Sequence, residues 1–98
     1  MTLDDVRRLI EPEKDALRAK GVSALYVFGS VARGEAGPVS DVDFFIDLEP
    51  DARFSIIDLV GVQGDLSERL GVAADLHTRR GLHYWIKDQI LAEAVQLF

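Results

Sequence analysis

The chain has no cysteine. That excludes a disulfide framework, a thiolate nucleophile and a cysteine-built zinc site. No apolar run approaches the roughly 18 residues of a membrane-spanning segment. The N-terminal Met-Thr-Leu-Asp-Asp-Val-Arg-Arg lacks the basic-then-apolar layout of a secretory signal. Together these features lead to the expectation of a cytoplasmic protein with no membrane role. Positive charge is also scarce. Eleven Lys and Arg face 17 Asp and Glu, a formal net charge of −6, which disfavours a general nucleic-acid binder needing a basic face for phosphates. A polyanion handled by this chain is expected to be a small nucleotide accompanied by a metal ion, and a basic protein partner is compatible with the charge.

What is present suits one globular unit. Ninety-eight residues, 48% of them hydrophobic, can bury one modest core but not two, so residues 1–98 are read as a single domain. Leu3, Val6, Leu9 and Ile10 recur at helical spacing after Thr2, a candidate N-cap. Pro12 opens a second helical piece bearing Leu17, and Gly21 stops it. Ser23 to Gly29, SALYVFG, is short, aromatic and β-branched, as a buried strand should be. A short helix is expected over Ser30 to Arg33, then a loop, GEAGPVS. DVDFFIDL, Asp41 to Leu48, reads as a second strand with Val42, Phe44, Ile46 and Leu48 facing the core. Asp41, Asp43, Phe45 and Asp47 share its other face.

Asp51 is a candidate cap for a helix from about Phe54 to Leu70, with Phe54, Ile57, Leu66 and Leu70 on its apolar side and Gly61 and Gly64 weakening its middle. After Gly71, a third strand from Val72 to Thr78 places Asp75 and His77 on one face. A last helix, His83 to Phe98, would bury Trp85, Ile86 and Ile90. The pattern predicts a small α/β sandwich with a mixed or parallel sheet of about three strands.

Two features carry chemistry. Carboxylates at Asp41 and Asp43, roughly 7 Å apart at Cα, can converge much closer at their oxygens. At about 4 Å and an effective dielectric near 20 they repel by on the order of 4 kcal/mol, and Asp75 from a neighbouring strand would add to this. Such a cluster either protonates or binds a cation, and hard oxygen ligands with open positions suit Mg²⁺. The second feature is the Gly29-Ser30 turn. Gly29 permits close approach of a phosphate, Ser30 and the following N–H groups can donate to it, and Arg33 one turn later can add charge. A Walker A loop is excluded because no Gly-Lys-Ser/Thr follows, and no dinucleotide fingerprint exists. Asp47 reads as structural or solvated, His77 as an exposed strand-end residue, and Arg79-Arg80 as loop-solvating charge.

Gly29-Ser30, ten intervening residues and Asp41-x-Asp43 together resemble the Gly-Ser…Asp-x-Asp signature of the DNA polymerase β-like nucleotidyltransferases. GSVARGEAGPVSDVDFFID, with Asp75 in AADLHT as a third acid, looks most like the minimal nucleotidyltransferase (MNT) branch. The resemblance implies the nucleotidyltransferase fold and two Mg²⁺ ions. Asp41 and Asp43 would ligate both ions; Asp75 would hold one and help deprotonate the acceptor hydroxyl. Gly29 and Ser30 would seat the β- and γ-phosphates of ATP. MNT proteins are typically antitoxins of HEPN-domain ribonuclease toxins, and the active ones transfer AMP onto a toxin tyrosine. The short chain leaves no room for an acceptor-binding domain, so the acceptor is expected to arrive on a partner. Two alternatives stay open: a catalytically silent module that neutralises its partner by binding, and a transferase for a small-molecule hydroxyl.

Overall fold

The computed structural model describes residues 1–37 and 40–98. Helix α1, Leu3–Ile10, passes through a 3₁₀ turn that holds Pro12 into α2, Lys14–Ala19. Thr2 caps α1 through a reciprocal box. Its hydroxyl accepts from the Asp5 N–H (3.1 Å), and the Asp5 carboxylate accepts from the Thr2 N–H (3.0 Å). Gly21, at φ +99°, then reverses the chain into β1, Val22–Phe28.

The predicted helix after Ser30 is a correction. The segment closes as a single turn, with the Arg33 N–H donating to Gly29 O and the Glu35 N–H to Ser30 O. Gly34, at φ +73°, ends it before a second turn can form, so no helix dipole develops there. The rest of the predicted loop is irregular in its described residues; positions 38 and 39 lie outside them.

Strand β2, Val42–Leu48, pairs antiparallel with β1 and parallel with β3, Ala74–Thr78. Helix α3, Ile56–Leu70, lies in the crossover connection that a parallel pair requires. Ser55, not Asp51, caps it. Ser55 Oγ accepts from the Asp58 N–H (3.3 Å), while Asp58 Oδ2 accepts from the Ser55 N–H (2.8 Å). Asp51 sits four residues too early to reach the first-turn N–H groups. The inward stripe of α3 is Val62, Leu66 and Leu70. Ile57, predicted to be apolar-facing, is turned about 140° away from Val62 and is exposed.

Helix α4, Tyr84–Glu93, is shorter than predicted. After Ala94 the chain extends, and Val95–Gln96 joins the β1 edge as β4, giving the order β3-β2-β1-β4. Ile90 is buried, but Trp85 and Ile86 are exposed, because the 3₁₀ turn Arg79–Gly81 delivers Leu82 rather than the start of α4 onto the sheet.

Both sheet faces are covered. Val42, Phe44 and Ile46 pack with Leu25, Val27, Val6, Ile10 and the α3 stripe. On the opposite face Phe45, fully buried, packs with Phe28, Leu82 and Ile90. No helix among the described residues is long and apolar enough to cross a membrane.

Gly64 is helical, and a Cβ there would meet nothing within 4 Å. Gly64→Ala should therefore raise stability by about 0.5–1 kcal/mol in urea unfolding. The Asp58 carboxyl lies below its ordinary range, first through the Ser55 N–H and then through the Ser55 hydroxyl. A lowered folded pKa adds stability that is fully present above the unfolded-state value of about 3.9 and is lost as pH falls through the folded value. Melting curves of Ser55→Ala should accordingly trail wild type at pH 7 and draw closer to it near pH 3.

Candidate active site

The carboxylate face of the sheet is built around Asp43. In the parallel β2–β3 register Asp43 stands opposite Asp75, and across the antiparallel β1–β2 pair it stands opposite Phe28. Gly29 follows Phe28 at φ +75°, and a Cβ at that position would lie 2.5 Å from Asp43 Oδ2. Glycine is thus required twice over, for its backbone angle and for the room Asp43 needs.

Burial pushes the Asp43 carboxyl above its ordinary range, and the nearby Asp75 and Asp41 charges push in the same direction. His77 and Arg33 pull back against them. This is the response of a carboxylate gathered with others and short of positive charge.

Strand β3 is a sheet edge, and two of its N–H groups are taken by α3 side chains. Leu76 N–H donates to Gln63 Oε1 (2.8 Å) and Ala74 N–H to Ser67 Oγ (2.9 Å). Those two bonds flank Asp75 and fix its height beside Asp43. The Asp75 carboxylate itself meets His77 Nε2 at 3.2 Å, and Asp41 is exposed just ahead of β2. Among the described residues no three acidic or imidazole side chains close around a point as a full metal cage would. The donor set still suits Mg²⁺, which takes one or two carboxylates and completes its octahedron with water and phosphate oxygens.

The Gly29 turn holds an anion of the protein's own. Glu93, the last residue of α4, accepts from the Gly29 N–H (3.2 Å) and from Arg33 Nη1 through both carboxylate oxygens (3.1 and 3.0 Å). Arg33 Nε also donates to Glu35 Oε2 (3.0 Å). Ser30 is half-buried in the same turn. Gly29, Ser30 and Arg33 thus share one turn, and the Gly29 N–H and Arg33 donate to a carboxylate there.

Arg79 corrects the reading of a solvated loop, and Asp47 takes the structural of its two expected roles. Arg79 donates to Asp47 from Nε (2.6 Å) and Nη2 (2.9 Å), and its guanidinium lies over Tyr26 and Phe45. Tyr26 and Phe45 are stacked at 4.6 Å. Arg79 braces the aromatic floor on which the acids stand. Glu93 escaped the sequence reading because it lies 64 positions from the turn it touches. Its only local signal is an acid in the last turn of a helix, where the dipole disfavours one.

The nucleotidyltransferase domain family matches residues 11–97. Protein adenylyltransferase MntA of Thermococcus cleftensis is 33% identical over 96 residues, covering 97% of this chain and 95% of its own. A solved structure with a minimal-nucleotidyltransferase name superposes at TM-score 0.79 with 34% identity, covering 97% of this chain and 95% of the other. A toxin–antitoxin crystal structure with AMP-PNP shares the fold at TM-score 0.75 and 21% identity, covering 94% of this chain and 72% of that one.

Gly29→Ala and Gly34→Ala separate backbone strain from crowding. Both positions have positive φ, but a Cβ at Gly34 meets nothing within 4 Å. Gly34→Ala should cost about 1–2 kcal/mol in chemical unfolding. Gly29→Ala should cost more, and it alone should weaken nucleotide binding.

Proposed function

Since this chain belongs to the nucleotidyltransferase domain family, we propose that it transfers AMP from ATP, with Mg²⁺, to a hydroxyl on a partner protein. We place that partner as a HEPN ribonuclease toxin, the hydroxyl as a tyrosine, and the chain as the toxin's antitoxin in the cytoplasm, where ATP is available. The observation that carries this reading is the register of Asp43 against Asp75 beside the side-chain-free Gly29. The adenylyltransferase name of the Thermococcus relative and the nucleotide in the toxin–antitoxin neighbour support it.

In this reading the residues divide the work. The Gly29 N–H and the Ser30 hydroxyl seat the β- and γ-phosphates, with Arg33 adding charge. Asp41, Asp43 and Asp75 hold two Mg²⁺ ions, which when bound stabilise the attacking and leaving oxygens on the α-phosphorus. Asp75 also receives the proton of the acceptor hydroxyl, positioned by its contact with His77. The hydroxyl oxygen forms the new bond to phosphorus as the bond to pyrophosphate breaks. A single domain, residues 1–98, carries the transferase site, and the partner presents the acceptor.

Incubation with α-labelled ATP, Mg²⁺ and the toxin should leave label on the toxin. In the Asp41→Asn, Asp43→Asn double variant that label should fall at least about 100-fold, since each lost charge stabiliser is worth 10²–10³ in rate. Undiminished labelling by the double variant would overturn the assignment. Toxin neutralisation that survives complete loss of labelling would favour the binding-only reading.

A further inference from the structure

The Glu93 carboxylate occupies the donors that a nucleotide phosphate would need. It meets the Gly29 N–H and takes two bonds from Arg33 Nη1, and its side chain is only 19% exposed. Its place in α4 is electrostatically poor. The last turn of that helix has no basic residue, and an acid there faces the negative end of the dipole. Arg33 and the Gly29 N–H offset that cost, which ties α4 to the turn.

We propose that Glu93 is an intramolecular stand-in for phosphate, filling the cradle until a triphosphate displaces it. The inference rests on the nucleotidyltransferase reading of the site and adds a competitor to it. A phosphate group and the Glu93 carboxylate cannot share the Gly29 N–H, and two anions at contact distance repel. Binding of nucleotide therefore releases Glu93 from Arg33, frees the guanidinium for the phosphate and loosens the C-terminal end of α4. Apparent affinity for the triphosphate is lowered by the work of expelling the resident acid.

Glu93→Gln keeps the side chain's length and one acceptor oxygen while removing its charge. Calorimetry with Mg²⁺–ATP, and separately with inorganic tripolyphosphate as a probe of the cradle alone, should show the variant binding about tenfold more tightly than wild type. Equal or weaker binding by the variant, with wild type binding normally, would overturn the stand-in while leaving the reading of the site intact. Failure of wild type and variant alike to bind either probe would overturn both. A second readout does not depend on the variant's folding. In wild-type protein labelled with ¹³C at the Glu side-chain carboxyl carbon, tripolyphosphate should shift the Glu93 resonance together with the Gly29 amide. A Gly29 amide that moves while the Glu93 carboxyl stays fixed would mean that both anions bind at once, and would overturn the proposal.

Discussion

The half-buried Asp43 carboxylate constrains everything around it. It lies against a glycine with no space for a side chain, opposite a second acid on a parallel strand, and next to a fully buried phenylalanine in its own strand. A carboxylate so placed keeps its charge only at a cost, and among the described residues no lysine or arginine forms an ion pair with it. Its pKa is raised by burial first and by Asp75 next. Structure of this kind is costly unless a cation or a reaction makes use of it. The turn at Gly29, the central position of β2 and the aromatic floor all serve to keep that group where it is.

Two arginine–carboxylate pairs brace the same face from opposite ends. Arg79 locks Asp47 against the Tyr26–Phe45 stack at the far end of β2. Arg33 joins Glu93 to the turn at the near end. The first pair is planar, bidentate and seated on aromatic rings, so it is structural in character. The second joins a turn to the end of a helix, and in our proposal its carboxylate gives way to another anion. Of the two, only the second reaches the Gly29 turn.

Much of this was legible in the sequence because it is local. The alternation of Val42, Phe44 and Ile46 against Asp41, Asp43 and Asp47 fixes one strand and both of its faces. The Gly29-Ser30 pair, separated from Asp41 by ten residues, marks the candidate site. The failures share a physical cause. Ile57, Trp85 and Ile86 are apolar at helical spacing, yet the phase of each helix is set by what it packs against, and neither helix turns those residues inward. Ser55 and Asp51 are both acceptable caps by residue type; the helix begins where the reciprocal bond with Asp58 closes. The ends of α4 and the existence of β4 depend on the β1 edge being free to accept two more residues, which no local pattern encodes. Glu93 and Arg79 act through partners 60 and 32 positions away, beyond the reach of spacing rules.

The central claim is that Asp43 and its neighbours assemble a cation-dependent triphosphate site at the Gly29 turn. Equilibrium binding of a non-hydrolysable ATP analogue, measured with Mg²⁺ and again with the metal chelated, tests it most directly. The account predicts uptake by wild type that requires Mg²⁺ and disappears in Asp43→Asn. Equal affinity with and without the metal, unchanged by that substitution, would contradict it.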